Sequence, residues 1–191
     1  MIFLSDISKR LILGFVLYIS FLNILVAQTY LTGVSTKWDD AFFEWQVYAF
    51  ENEEETEGEL RLKWPFKNDW TEWVLDIEDQ YFTIRLRYRN VLDHWEIRGG
   101  DVLVEMKPIW LNDYTQWRIS YNGERIKWKT QYPNDLNYWF YEDDANGFAE
   151  FYTIYRNDPR DWEFNDQTEN IPFEVKLAMA FISIYYSTPK S

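Results

Sequence analysis

A tryptophan recurs at an almost constant interval through most of this chain, and that interval restricts the possible folds more than any other feature. The spacings are 22, 22, 22 and 23 residues in the series Trp73, Trp95, Trp117, Trp139 and Trp162. An Asn-Asp pair stands five and four residues before every member except Trp95, which has Asn90-Val91. Trp45, preceded by Asp39-Asp40, is an earlier copy, separated from Trp73 by an insertion that carries the acidic run 51–57. A fixed period of this kind indicates a repeated supersecondary unit.

Each unit contains two stretches in which apolar and polar residues alternate, the period of a β-strand with one buried face. The hairpin dipeptides Gly99-Gly100, Asn122-Gly123 and Asn146-Gly147 predict one set of turns, and the Asn-Asp pairs predict the other. Five units, a final strand at Trp162 and a strand near 31–37 make an antiparallel meander of eleven or twelve strands. Closure into a barrel would remove the exposed edges of so long a sheet.

The alternation ends at Pro172, and residues 173–186 are apolar almost all round, which predicts a buried helix. Asn170 is the expected N-cap, with Pro172 in the first turn. A helix of this length reaches roughly 21 Å, too short for a hydrocarbon core of about 30 Å. We therefore predict a single mostly β domain over residues 29–191, a barrel of about 12 strands closed around a C-terminal helix.

The chain resembles the tubby-like fold of tubby C-terminal domains, LURP-one-related proteins and phospholipid scramblases. The resemblance is carried by three segments, Trp95-Glu-Ile-Arg-Gly-Gly, Val102-Leu-Val-Glu-Met-Lys and residues 174–186, and it spans most of residues 31–187. It implies a barrel threaded by its C-terminal helix. The phosphoinositide-binding bases of tubby domains and the calcium-binding elements of scramblases have no counterparts that can be placed here, so the resemblance implies no site residues.

Residues 1–28 predict export. Lys9 and Arg10 precede an apolar run from Leu11 to Ala27, the pattern of a signal peptide, and a retained N-terminal membrane anchor is the alternative. We expect a secreted or periplasmic protein. Without this segment 31 acidic residues face 17 basic ones, so nucleic acid is not an expected partner. The absence of cysteine excludes disulfides, thiolate metal sites and thiol nucleophiles.

No pattern in the sequence predicts catalysis, a metal site or a cofactor. His94 is the only histidine, and no serine near it forms a recognisable nucleophile pair. The acidic run 51–57 lacks the alternating ligands of a calcium loop. Paired carboxylates such as Asp76 with Glu78, or Asp143 with Asp144, would suit glycan hydrolysis only if two of them met in one cleft. We expect no enzyme, and a glycan hydrolase is the less favoured alternative.

Basic residues gather on the outward face of the central strands of this acidic protein. They could pair across strands with Asp76, Glu96 and Glu105, or they could form an anion-binding wall for lipid headgroups or acidic glycans, with Trp110 and Tyr132 near its rim. The possible wall consists of Arg85, Arg87, Arg89, Arg98, Arg118 and Lys127, and the same outward face also carries Lys107, Arg125 and Lys129.

The predicted function is therefore that of an exported, non-enzymatic β-barrel that binds a ligand, a lipid headgroup or a protein partner at the cell envelope. The alternative is an open aromatic repeat solenoid, comparable to MORN or choline-binding repeats, that attaches a protein to the envelope. A solenoid, however, would leave the C-terminal helix with no lumen to fill.

Overall fold

A computed structural model describes residues 29–51, 54–67, 69–88 and 91–190, so the predicted signal segment lies outside the described residues. Within this part of the chain, twelve antiparallel strands close into one barrel around a single helix, as predicted. The strands are β1 Tyr30–Trp38, β2 Ala41–Glu51, β3 Glu54–Leu62, β4 Glu72–Ile77, β5 Gln80–Tyr88, β6 Val91–Gly99, β7 Val102–Pro108, β8 Gln116–Tyr121, β9 Glu124–Thr130, β10 Tyr138–Asp143, β11 Gly147–Tyr155 and β12 Asp158–Thr168.

The first and last strands, β1 and β12, pair with each other and so close the barrel. Their register is the same as the register within each repeat unit. In a typical unit the repeat tryptophan pairs with the following strand, as Trp117 pairs with Trp128. The last repeat tryptophan, Trp162 of β12, pairs with Val34 of β1. Strand β1 therefore serves as the second strand of a sixth unit whose first strand is β12. This closure excludes the open solenoid.

The connections fall at two rims, which we name by their turns. The turn rim carries the connections that precede the repeat tryptophans: β1–β2, β3–β4, β5–β6, β7–β8, β9–β10 and β11–β12. The hairpin rim carries the tight turns at the other end: β2–β3, β4–β5, β6–β7, β8–β9 and β10–β11.

The Asn-Asp turns of the turn rim combine one backbone conformation with two local hydrogen bonds, as the turn before Trp117 shows. The asparagine takes a left-handed conformation, with φ of 61° at Asn112, which asparagine tolerates better than most residues. The aspartate after it, Asp113, accepts the backbone N–H of Thr115 at 2.9 Å. The buried indole of Trp117 then donates to the carbonyl of Tyr114, also at 2.9 Å. The motif thus turns the chain and satisfies the one polar atom of a core tryptophan.

The same indole-to-carbonyl bond, three residues back along the chain, is made by Trp45, Trp73, Trp139 and Trp162. Trp95, whose copy lacks the aspartate, donates instead to the hydroxyl of Tyr186 at 3.0 Å. That hydroxyl donates to Asp93 at 2.7 Å. The irregular repeat is therefore the one that anchors the end of the helix.

Two of the predicted hairpin turns are displaced by one residue or lengthened. Gly99 pairs with Val102, so the turn falls on residues 100 and 101. Gly147 pairs with Asp143 across a three-residue turn. Asn122-Gly123 forms the predicted two-residue turn, with φ of 46° and 87°.

Helix α1 spans Phe173–Ser187 and fills the lumen from the hairpin rim to the turn rim. The Asn170 N-cap prediction is wrong: Pro172 occupies the cap position without a side-chain bond, and Asn170 lies outside the helix with φ of 47°. The fixed φ of proline and its missing N–H suit this position, which needs no donor. No helix in the described part of the chain has the length and apolar content needed to cross a bilayer.

Two polar residues of the helix, Lys176 and Ser183, are buried, and each has a polar partner. Lys176 Nζ lies 2.5 Å from Asp166 Oδ2 of β12, near the hairpin rim. Ser183 accepts the indole N–H of Trp128 at 2.9 Å and donates to the Met179 carbonyl. An ion pair so placed fixes the helix against one strand, because separating the partners would leave a buried charge.

Candidate functional site

The predicted basic wall divides into a neutralised half and an unpaired half. In the first half, Glu96 of β6 is 2% exposed and lies between two arginines. Arg85 donates to it at 2.8 Å, and Arg98 donates to both of its oxygens at 2.9 and 3.1 Å. The hydrogen bonds from Arg98, together with those from Arg85, lower the pKa of Glu96 in spite of its burial. Arg85 and Arg98 are therefore already bound to a carboxylate of the protein.

Arg87 belongs to the same half, because it forms an ion pair with Glu105 of β7. His94 Nε2 lies 3.7 Å from the other oxygen of Glu105, and burial lowers the pKa of the histidine. Arg89 lies outside the described residues. Asp76, the third predicted acidic partner, pairs across strands with Tyr81 and Glu59 instead of with a base.

The unpaired half begins with Arg118 of β8 and Lys127 of β9, which stand directly opposite each other. Lys107 of β7 stands opposite Arg118 on its other side, so three cations lie side by side across three strands. Among the described residues, no carboxylate oxygen comes within 4.0 Å of any of the three. Like charges directly opposite each other destabilise a sheet, by roughly 0.2 to 1 kcal/mol per pair.

Two further cations on β9 extend this row. Arg125 pairs across strands with Ser120, and Lys129 pairs with Gln116, so neither faces an acid. The Lys129 ammonium lies 4.4 Å from the centroid of the Phe140 ring. We call the five cations Lys107, Arg118, Arg125, Lys127 and Lys129 the basic surface.

The barrel wall opens beside the basic surface. Strands β9 and β10 pair only at Trp139 with Thr130 and at Phe140 with Lys129, whereas β8 and β9 pair at six positions. A cavity of about 640 Å³ occupies the opening toward the hairpin rim, and Ile126, Tyr141 and Val175 are among its lining residues. The opening therefore joins cations on the outside to apolar side chains of the lumen.

Two smaller cavities flank the same strands. One of about 570 Å³ is bordered by Lys127, Lys129 and Asp113. One of about 250 Å³ is bordered by Lys107, Arg118 and Arg125 together with Glu105 and Glu124. Every cation of the basic surface thus borders a concavity. Such a surface can bind phosphate, sulfate or carboxylate groups through charge-assisted hydrogen bonds.

The other polar residues considered from the sequence have structural surroundings. Asp143 accepts the backbone N–H groups of Ala145 and Asn146, which shapes the β10–β11 turn. Glu78 accepts the hydroxyl of Thr56 at 2.7 Å. Across the described ranges no three His, Asp or Glu side chains are arranged to hold a metal ion.

Sequence reasoning identified the cations but not the opening. The end of a strand ladder leaves the alternation of β9 and β10 intact, so no local signal marks it.

No protein-family model, curated protein or solved structure is significantly similar to this chain.

Proposed function

We propose that this protein is an exported, non-enzymatic β-barrel that binds an acidic ligand on its basic surface. The row of Lys107, Arg118 and Lys127 carries the proposal, since three facing cations without a carboxylate partner lower stability unless an anion joins them. The neighbouring cations Arg85 and Arg98 make the contrast clear, because a buried glutamate neutralises them.

The chemical group recognised is a phosphate, sulfate or carboxylate, which a lipid headgroup and an acidic glycan share. Export rests on the signal-like pattern of residues 1–28. The protein as a whole is acidic, so a local basic surface also directs an acidic ligand to one place.

The test replaces Arg118 and Lys127 together by glutamine. Probes are a sulfated heparin oligosaccharide and vesicles containing phosphatidylglycerol, measured at low and at raised salt. We expect the wild-type protein to bind at least one probe, the affinity to fall with salt, and the double variant to bind at least about tenfold more weakly.

The matched control is Arg61→Gln with Arg156→Gln, which removes the same net charge elsewhere on the barrel. It should bind like the wild-type protein. Arg118→Gln should also raise the free energy of unfolding, by up to about 1 kcal/mol, since it relieves repulsion. The proposal fails if neither probe binds, or if the two double variants bind equally well.

A further inference from the structure

An exposed aromatic residue precedes each of the six turns of the turn rim. Their exposed fractions lie between 43% and 63%, in contrast to the repeat tryptophans, which are at most 2% exposed. We call them the aromatic ring: Trp38, Trp64, Tyr88, Trp110, Tyr132 and Tyr155. The repeat therefore places two kinds of aromatic residue in each unit, one in the core and one in solvent.

The six positions are equivalent in the barrel. Each stands four residues after the residue that pairs with a repeat tryptophan: Tyr132 follows Trp128 in this way, and Trp38 follows Val34. Equivalent positions in a closed, repeated barrel lie at one level around its axis. Neighbouring members are two strands apart, or roughly 10 Å. The aromatic ring is thus an annulus at one end of the molecule.

Two of the six turns carry a further exposed apolar residue. Phe66 is fully exposed, and Leu111 is 91% exposed. Together with the ring, they account for eight of the twelve large hydrophobic side chains that are exposed among the described residues. Isolated exposed hydrophobic residues need no explanation, but a clustered set indicates an interaction surface.

The charges of the two rims differ. The hairpin rim and the strand ends beside it are strongly acidic, with Glu54, Glu55, Glu78, Asp79, Asp101, Glu124, Glu142, Asp143, Asp144 and Glu169. The turn rim has cations next to the ring: Lys67 Nζ lies 4.5 Å from the Trp64 ring centroid, and Lys107 and Lys129 each precede a ring member by three residues. Four of its aspartates accept backbone N–H groups within their own turns, as Asp135 does from Asn137, whereas Asp39 and Asp40 are exposed.

We propose that the turn rim docks flat on the surface of an anionic lipid bilayer. Trp and Tyr rings favour the lipid–water boundary, because each has an apolar body and a polar tip. Phe66 and Leu111 enter deepest, and Lys67, Lys107 and Lys129 reach the lipid phosphates. The aromatic ring is the reason to propose a bilayer as the partner. That the bilayer is anionic rests on the proposed function.

The annular arrangement favours a bilayer over a protein partner or a second copy of the chain. Protein interfaces concentrate apolar contacts at their centre and place polar groups at the edge. Here the apolar residues lie on the periphery, around an end that is closed by the helix. A planar apolar phase can contact all six members at once, and the acidic hairpin rim then points away from the anionic surface.

The absence of cysteine allows a test by single-site labelling of the full chain. An environment-sensitive fluorophore is attached at Leu111→Cys or Phe66→Cys, and as controls at Tyr81→Cys or Phe50→Cys, which are exposed positions outside the ring. With vesicles of phosphatidylcholine and phosphatidylglycerol, we expect a blue shift and brighter emission at 111 and 66, and no change at 81 and 50. This readout reports the docked face even if residues 1–28 also bind lipid.

A second pair of variants measures the contribution of the ring. Trp110→Ser with Tyr132→Ser should weaken vesicle partitioning of the labelled protein at least about tenfold, and Phe50→Ser with Tyr81→Ser should not. All four positions are exposed, so both variants should remain folded.

The proposal is overturned if the fluorescent label responds at position 81 or 50 instead of 111, or if it responds at no position. It is also overturned if the protein self-associates in sedimentation experiments without vesicles and the ring substitutions abolish that self-association. Its failure is distinguishable from that of the proposed function. Heparin binding that depends on Arg118 and Lys127, without any response at 111, would leave only the proposed function standing. A response at 111 that survives loss of those two cations would leave only the docking.

Discussion

The two rims of the barrel are built on the same twelve strands, yet their sequences follow different rules. At the turn rim an exposed aromatic recurs in all six units. Among the described residues, four of the six turns also have a capping aspartate, which follows a left-handed asparagine in three of them. At the hairpin rim the turns differ in length and their shared property is negative charge. The 22-residue repeat is therefore mainly a property of one rim, while the other rim is constrained by turn geometry and charge alone.

The largest expected effect separates the two tryptophans that flank the β7–β8 turn. Trp117→Ala should lower the free energy of unfolding by roughly 3 to 5 kcal/mol, because it empties a fully buried site. Trp110→Ala, seven residues away at the turn rim, should change it by less than about 0.5 kcal/mol. Chemical denaturation measures both. Equal losses of unfolding free energy in the two variants would mean that the aromatic ring also stabilises the fold. The distinction between core and exposed aromatic residues would then no longer hold.

A smaller effect is expected at the buried ion pair between Lys176 of the helix and Asp166 of β12, near the hairpin rim. Lys176→Met should cost roughly 3 kcal/mol, because it leaves the Asp166 carboxylate buried without its partner. Adding Asp166→Asn should recover most of that loss, since the amide oxygen can still accept the bonds from Thr168. If the double variant were as unstable as the single one, the pair would not act as an isolated buried ion pair.

The smallest effect concerns pH at the turn rim. Hydrogen bonds from Lys37 and then from the Trp38 indole lower the pKa of Glu44 to about 2 from an ordinary 4.5. Because the folded pKa is the lower one, this stabilisation is complete above pH 4.5 and is lost as the pH falls toward 2. Glu44→Gln should therefore flatten the acid limb of a plot of melting temperature against pH.

The control for this experiment is Glu54→Gln at the hairpin rim, where the carboxylate is exposed and none of the described residues forms an ion pair with it. It should leave the acid limb nearly unchanged. An equal flattening by both substitutions would show that acid sensitivity follows total charge and does not distinguish the rims.

Most of the fold could be predicted because its signals are local. Alternation indicated the strands, the period indicated their number, and the loss of alternation after Pro172 indicated the helix. The closure of β12 on β1 has no such signal, since β1 has no repeat tryptophan of its own. Trp64 and Phe66 continue the alternation of β3, but Pro65 begins a 3-10 turn there, and both side chains are exposed.

The candidate site was predicted only in part, for a physical reason. Alternation shows that Arg85 and Arg118 both point outward, but it does not show what faces them. Strand register makes Glu96 the partner of Arg85 and makes two cations the partners of Arg118. Register depends on contacts between strands, so the difference between a neutralised cation and a free one becomes visible only in three dimensions.

The pairing of Val34 with Trp162 has a consequence for the order of events during synthesis. The first strand acquires its second neighbour only after nearly the whole domain has emerged, and the helix that fills the lumen comes later still. Pairing between distant segments is slow compared with local pairing. A chain delivered N-terminus first should therefore complete its barrel only after its twelfth strand has appeared.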